Sequence, residues 1–302
     1  MAEMSGMPHG GGMWSMTGPM WMPQDPPSLA RILGPHLQPI PLLPFLGLVG
    51  LVSYLAGVAV LAGRGVRWPW RRTASWVLGV LALELVTTTG IEGYGMMLFS
   101  VHMAQHMVLA MVVPVLLALG SPVHLALRAL PTYGGGGMLR RGLLRLGASR
   151  LAAVALSVPV RWTLFLASLY GIYFTPLFGD LMHTVWGHNV MLLHFLATGC
   201  LFFGPLVRDT RHARPPARRL AETFASTPLH ALFGLVIMLS GAPVLGFFDD
   251  PDPRWSVDTL ADQSLAGSIA WAVSETATVL VMTILLVGWL RRPRGRLSGS
   301  TW

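Results

Sequence analysis

The stretch MMLFSVHMAQHMVLAMVVPVLLAL, residues 96–119, decides the fold class because it contains no charged side chain over its whole length. An α-helix needs about 20 such residues to cross the hydrocarbon of a bilayer. His102 and His106 lie inside this run and, being four residues apart, share one face of a helix. Ionisable side chains within a bilayer are rare and tend to face a bundle interior or a functional site. The stretch therefore predicts a transmembrane helix that carries a functional pair of histidines.

Apolar runs recur along the 302-residue chain, of which 53% is hydrophobic and only 11% is charged. Such a composition is typical of a polytopic membrane protein. Hydropathy and the positions of Gly and Pro predict seven spans, at residues 40–61, 73–89, 96–119, 159–178, 186–207, 226–247 and 264–290. The predicted fold class is all-α, a seven-transmembrane helix bundle.

The basic residues predict how this bundle is oriented. All 21 of them are Arg, and 19 fall in or beside the loops that follow spans one, three, five and seven. Only Arg31 and Arg254 lie on the other side. By the positive-inside rule, the N-terminus is outside and the C-terminus is in the cytoplasm. The net charge of +8 then reflects topology and attraction to membrane lipid, and nucleic acid is not an expected partner.

Three segments make up the predicted domain organisation. Residues 1–39 form an extracytoplasmic tail rich in Met, Gly and Pro, which we expect to be disordered. Residues 40–290 form the membrane domain, and residues 291–302 form an Arg-rich cytoplasmic tail. The first tail carries seven Met around His9, a set that suits copper, although a simple low-complexity tail is the alternative. We expect no signal peptide, and the single Cys200 excludes an intrachain disulfide.

The sequence does not determine the conformation of the linker between the third and fourth spans. Gly120-Ser121-Pro122 should end the third span, and residues 134–137 form a glycine linker. Residues 138–158 are amphipathic enough to lie on the membrane or to form a partial re-entrant helix.

Polar side chains from four predicted spans lie at similar depths in the outer half of the bilayer. They are His102 and His106 of span three, His188 and His194 of span five, Glu84 of span two and Glu275 of span seven. Met103 and Met107 add thioethers beside the histidine pair. Four imidazoles at one depth predict a metal or cofactor centre in the outer leaflet. Singly, each His could instead be an interhelical hydrogen-bonding residue and each Met a core filler.

The ligand types favour copper, with other metals and haem as alternatives. Neutral imidazoles with thioethers suit copper, whereas His with a carboxylate would also suit zinc or iron. Haem is the main alternative, because two helices that each supply one His could bind a porphyrin from both sides. A catalytic role has little support, since no nucleophile elbow, P-loop or HExxH motif accompanies the histidines.

Three motifs, in order along the chain, resemble those of one family of membrane proteins. Residues 99–107, followed by Pro114 and residues 119–122, are similar to the third span of the caa(3)-type cytochrome c oxidase assembly factor family, CtaG, of the polytopic type. The fifth span of that family resembles His188-Asn189-Val190-Met191-Leu192-Leu193-His194-Phe195-Leu196, with Gly199 and Leu201-Phe202-Phe203-Gly204-Pro205-Leu206 after it. Asp262-Gln263, Gly267 and Trp271 match the entry to its last span. The resemblance covers about residues 40–290.

This resemblance implies a multi-pass protein of the bacterial plasma membrane that helps to mature a haem-copper oxidase of the respiratory chain. The implied role is that of a metallochaperone for Cu(I), with cytochrome c oxidase subunits and copper donor proteins as partners. The redox chemistry would belong to the oxidase, so we do not expect an enzyme. Family members carry Asp-Pro after the fifth span where this chain has Asp209-Thr210-Arg211, which leaves a role for that loop open.

Overall fold

The computed structural model describes residues 18–207, 215–249 and 251–291. Three stretches lie outside the described residues. They are residues 1–17, with His9 and five of the seven Met of the first tail, the departure at residues 209–211 and the Arg-rich tail beyond residue 291. Within them the structure contains helices, turns and one isolated bridge between Pro35 and Thr89, and it has no strand. The all-α prediction is therefore confirmed for this part of the chain.

Fourteen α-helices occur in the described ranges. They are α1 (Leu29–Ile32), α2 (Leu42–Gly63), α3 (Trp70–Thr87), α4 (Gly90–Tyr94), α5 (Phe99–Met107), α6 (Val113–Gly120), α7 (Pro122–Ala129), α8 (Gly134–Gly147), α9 (Arg150–Ala155), α10 (Val158–Leu166), α11 (Leu177–Met182), α12 (Val185–Val207), α13 (Pro216–Leu239) and α14 (Thr259–Leu290). Val108–Val112 and Ala167–Gly171 are π-helical turns, and Gly246–Phe248 and Pro253–Trp255 are 3₁₀ turns.

Five helical segments are long and apolar enough to cross a membrane. They are Leu42–Gly63, Phe99–Ala129, Val185–Val207, Pro216–Leu239 and Thr259–Leu290. The other two predicted spans correspond to α3 and to α10 with the π-turn after it. Helix α3 has 18 residues, three of them charged, and α10 is interrupted after nine residues. The structure thus supports a multi-pass membrane protein, and the count of seven stays a prediction.

The largest difference from the predicted boundaries is in the sixth span, for which the sequence predicts residues 226–247. Helix α13 instead begins at Pro216 and ends at Leu239. Proline is well tolerated in the first helical turn, where its missing N–H has no intrahelical partner to lose. Ser240 then turns to an extended conformation, and Pro243 follows shortly after it. The residues up to 247 therefore form a loop rather than the end of a span.

The glycine linker at residues 134–137 is also helical. Gly134 adopts a φ of 62°, and α8 begins there. The amphipathic stretch that follows is divided between α8 and α9.

The segment before α2 packs against the bundle from residue 18 onward, whereas the sequence predicts disorder up to residue 39. The backbone N–H of Trp21 donates to Oε1 of Gln38 at 2.9 Å, and Nε2 of Gln38 donates back to the Trp21 carbonyl at 3.2 Å. The Trp21 ring stacks on His36, with centroids 3.6 Å apart. It also covers Gly93, where a Cβ atom would lie 2.4 Å from the ring. Residues 18–39 are therefore held against the bundle by these contacts, and disorder of this segment in isolation stays a prediction.

One close helix crossing brings the histidine-bearing segments together. Helix α12 passes the π-turn that follows α5, and a Cβ atom at Gly199 would lie 2.1 Å from the carbonyl oxygen of Ala110. Only glycine permits this approach. Helices α5 and α12 both begin at the Arg-poor end of the bundle. Since they also cross closely, their first turns lie near each other at that end.

Candidate metal centre

The start of α5 is held in place by a residue from α14. The carboxylate of Asp262 accepts hydrogen bonds from the backbone N–H of Ser100, at 3.2 Å, and from the Ser100 hydroxyl. A carboxylate at a helix N-terminus satisfies free N–H groups and is favoured by the helix dipole. The neighbouring Gln263 bonds to Val244 N and Ala242 O of the loop before α14. The Asp-Gln pair thus fixes the end of the helix that carries His102 and His106.

Three histidines converge at this end of the bundle. The ring centroids of His102 and His106 are 3.9 Å apart, and that of His188, in the first turn of α12, lies 6.3 and 6.4 Å from them. Each side chain offers a ring nitrogen, and these three nitrogens lie within 4.8 Å of one another. All three residues are at most 1% exposed. Two helices therefore bring three imidazoles into one buried cluster, which we call the His trio.

The ring nitrogens of the His trio are only partly hydrogen-bonded. His102 Nδ1 donates to the carbonyl oxygen of Gly95 at 3.2 Å, and His106 Nδ1 lies 3.0 Å from the hydroxyl of Tyr173. Nε2 of His102, Nε2 of His106 and both ring nitrogens of His188 are buried and have no hydrogen-bond partner among the described residues. Each unsatisfied buried polar atom costs about 1–3 kcal/mol. One cation between the rings would satisfy a nitrogen of each.

Aromatic side chains surround the trio. The Phe195 ring lies 4.5 Å from His106, and the rings of Phe178 and Phe248 lie 5.1 and 5.6 Å from His102, measured between centroids. All three phenylalanines are buried. They exclude water and leave the imidazoles as the polar groups that face one another.

The predicted site residues divide into two groups. The structure brings together His102, His106 and His188, and it buries Met103 and Met107 on the same helix as the first two. It does not bring the remaining three predicted residues into this cluster, which are His194, Glu84 and Glu275.

Each residue of the second group has a different environment. His194 Nε2 lies 2.8 Å from the Ser168 hydroxyl, on the side of α12 that faces α10 and its π-turn. Glu84 Oε1 points towards α2, where it would lie 2.4 Å from a Cβ atom at Gly47. Glu275 is partly exposed on α14. A common depth in the bilayer therefore did not mean a common face.

Tyr173 is the neighbouring residue that the sequence analysis missed. It is 1% exposed and lies two residues after the π-turn that ends at Gly171. The π-turn shifts the helical phase, so simple 3.6-residue spacing does not predict where Tyr173 points. No signal in the sequence singles Tyr173 out, because Thr163, Ser168, Tyr170 and Thr175 add further hydroxyls to the same predicted span.

The His trio matches the needs of a small metal ion. Metal–imidazole bonds of about 2.0–2.1 Å place three nitrogens about 3.5 Å apart around one ion. The separations of up to 4.8 Å require an inward movement of about 1 Å, which rotation of the rings can supply. The hydrogen bond from Nδ1 fixes the His102 tautomer with a free lone pair on Nε2, the arrangement usual for metal-binding histidines.

Known proteins resemble this chain over most of its length. It is 39% identical over 279 residues to an uncharacterized protein of Mycobacterium bovis and, equally, to one of Mycobacterium tuberculosis. It is 38% identical over 247 residues to an uncharacterized protein of Mycobacterium leprae. These alignments include 90%, 90% and 80% of this chain but only 42%, 42% and 37% of the relatives. The chain thus spans about two fifths of the length of these curated relatives.

No solved structure matches the chain. A family model described as the cytochrome c oxidase caa3 assembly factor matches residues 52–292, which include the whole His trio and the Asp-Gln pair. The predicted resemblance is confirmed, and the chain belongs to the cytochrome c oxidase caa3 assembly factor family.

Proposed function

We propose that this protein assists the maturation of a haem-copper cytochrome c oxidase by holding one Cu(I) ion at the His trio and passing it to an oxidase subunit. The observation that carries the proposal is the set of buried, unpartnered ring nitrogens of His102, His106 and His188 within 4.8 Å. Family membership supports the assembly role. In this proposal copper is cargo, so the protein is a metallochaperone and not an enzyme.

The orientation predicted from the arginines places the trio near the outer surface of a bacterial plasma membrane. A copper donor protein on that side would then be the source of the ion, and the Met/His tail could collect it. The oxidase subunit would receive the ion within or at the same leaflet.

Burial and ligand charge favour a monovalent ion. The desolvation cost of a buried ion rises with the square of its charge, so a divalent ion costs about four times as much as a monovalent one. The three ligands are neutral imidazoles, and no carboxylate of the described residues belongs to the cluster. Zn²⁺ would therefore bring two uncompensated charges into an aromatic enclosure, whereas Cu(I) would bring one. Imidazole also suits copper, as do thioethers, and Met103 and Met107 are buried on the same helix as His102 and His106.

Haem and a metal-free scaffold are the competing functions. A haem between two of these histidines would need a wide planar space, yet His102 and His106 lie on one helix with centroids 3.9 Å apart. Phe195 packs 4.5 Å from His106 on the same side as His188. This close packing favours a small ion. A scaffold would need no metal. The unpartnered ring nitrogens would then lower the stability of the fold without serving a function.

Copper titration of the purified full chain tests the proposal. Under anaerobic conditions with a chromophoric Cu(I) competitor, we expect about one tightly held Cu(I) per trio. The variant His102→Ala plus His106→Ala should lose it. His194→Ala is the matched control, since it removes an intramembrane imidazole outside the trio and should retain the ion.

Three results would contradict the proposal. Equal copper in the wild-type chain and in the double variant would overturn the ligand assignment. A Soret band that the double variant lacks would indicate haem. Normal oxidase assembly in cells that carry the double variant would indicate a metal-free scaffold.

A further inference from the structure

A cleft at the Arg-rich end of the bundle, far from the His trio, has the shape and charge of a lipid site. It lies between α2 and the α7–α8 pair and has a volume of about 550 Å³. This volume is within the usual range of sites for small molecules, about 300–1,000 Å³. Its walls are almost entirely apolar, with Leu125 of α7 and Leu139 and Leu143 of α8 facing α2.

The cleft follows α2 over the depth of one leaflet. Its lining on α2 runs from Gly50 to Arg64, which is about 21 Å along a helix. One leaflet contributes about 15 Å of hydrocarbon. Helix α2 ends at Gly63, so Arg64 stands at the membrane surface while the rest of the lining reaches into the hydrocarbon. The cleft is therefore long enough for the acyl chain of a lipid whose headgroup stays at the surface.

Aromatic rings form the floor of the cleft. Tyr54 and Trp76 stack with centroids 4.9 Å apart, and the Tyr54 hydroxyl donates to the Gly120 carbonyl at 2.8 Å. Nε1 of Trp76 is buried and has no acceptor within the described part of the chain. Both rings line the cleft, so an acyl chain in it would pack against aromatic carbon.

The mouth of the cleft is positively charged. Arg64 lines the cleft and donates to the carbonyl oxygen of Arg128 at 3.1 Å, and Nε of Arg140 donates to that of Leu127 at 3.3 Å, so two guanidinium groups bind backbone carbonyls in the last turn of α7. Arg64 forms no ion pair with any described carboxylate. Basic pockets between helices at a membrane surface select anionic headgroups.

We propose that this cleft binds one anionic phospholipid, with an acyl chain along α2 and its phosphate at Arg64. The inference is independent of the proposed copper function. With the predicted orientation, the lipid belongs to the cytoplasmic leaflet. It would fix the amphipathic α7–α8 pair against α2.

Native mass spectrometry of the full chain tests this site. The delipidated protein is mixed with equal amounts of phosphatidylglycerol and phosphatidylcholine that carry identical acyl chains. We expect the wild-type chain to retain phosphatidylglycerol in preference. Arg64→Gln should reduce that preference about fivefold, the factor that corresponds to the loss of one surface Arg contact of about 1 kcal/mol.

A second pair of variants tests the cleft itself. Ala56→Trp places a large ring in the lining from an exposed position of α2, and it should abolish retention of the lipid. Val52→Trp is the control, because Val52 is 59% exposed on the same helix and does not line the cleft. Equal retention of the two lipids by the wild type, equal retention by the two Trp variants, or a second copy of the chain in the cleft would overturn the proposal.

Discussion

At the scale of single residues, the two histidines of α5 differ in how their Nδ1 atoms are held. A backbone carbonyl can only accept, so Gly95 fixes the tautomer of His102. A tyrosine hydroxyl can donate or accept, so the tautomer of His106 depends on Tyr173. Ligation through Nε2 requires the proton of His106 on Nδ1, with the Tyr173 hydroxyl as acceptor. Tyr173 is then a positioning residue for the proposed ligand.

Removal of this hydroxyl should weaken copper binding without unfolding the protein. We predict that Tyr173→Phe lowers Cu(I) affinity about 10–100-fold, as is typical when a hydrogen-bond partner of a metal ligand is lost. Tyr170→Phe is the control, because its hydroxyl donates to the Leu229 carbonyl at 2.6 Å and does not reach the trio. Competition titration measures both. Equal affinities for the two variants would contradict this role.

Glu92 gives a second prediction at this scale, on stability. It lies in α4, outside the five candidate spans, and burial raises the pKa of its carboxyl to about 8. The unfolded chain releases this proton near pH 4.5, so between about pH 4.5 and 8 the folded state holds a proton that the unfolded state has lost. The free energy of unfolding should therefore fall as pH rises through this window, by up to about 1.4 kcal/mol per pH unit.

The variant Glu92→Gln should remove this dependence. We expect thermal unfolding of the wild type to shift to lower temperature from about pH 5 to 8. The variant should show a flatter profile and higher stability at the upper end. Parallel profiles for the two proteins would show that Glu92 does not carry the effect.

Part of the site could be predicted at the residue scale and part could not. The spacing of His102 and His106 was sufficient to predict a shared face. His188 and His194 are six residues apart, which places them about 240° apart around a helix, so only one of them could join the pair. Depth in the bilayer does not contain this angle. For Glu84 and Glu275 the direction of the side chain depends on tertiary packing, which residue spacing does not determine.

At the scale of elements, the approach of α12 to the π-turn after α5 decides whether the trio exists. Gly199 stands at the closest point, opposite the Ala110 carbonyl. We predict that Gly199→Ala separates the two segments, lowers the unfolding temperature and weakens Cu(I) binding at His188. Gly204→Ala is a matched control on α12, since a Cβ atom there has no neighbour within 4 Å. If both variants bind copper like the wild type, the crossing does not position the trio.

The elements themselves were predicted with uneven success. Helix α12 begins within one residue of the predicted start, because an apolar run with few breakers determines it. Helix α13 was shifted by ten residues at its start, because its first turns are polar and amphipathic and hydropathy alone does not include them. The π-turns were not predicted, since an extra residue per turn leaves no mark on composition.

At the scale of the whole molecule, the arginine distribution and the site define two ends of the bundle. The His trio lies at the Arg-poor end, and the lipid cleft lies at the Arg-rich end. The sequence predicted this polarity from charge alone, while the way the helices surround the trio required the structure.

Thiol labelling of intact cells tests the orientation. In a Cys200→Ala background, we predict that a membrane-impermeant maleimide labels Gly241→Cys, in the exposed loop after α13. Thr132→Cys, in the exposed turn between α7 and α8, should be labelled only after the cells are opened. The reverse pattern would place the trio on the cytoplasmic side.

The central claim is that three imidazoles share one copper ion, and X-ray absorption at the copper edge of the loaded full chain tests it most directly. We predict three nitrogen neighbours at about 2.0 Å, with the multiple-scattering pattern of imidazole, and loss of one of them in His188→Ala. A sulfur-only coordination shell, or a spectrum that His188→Ala leaves unchanged, would contradict the account.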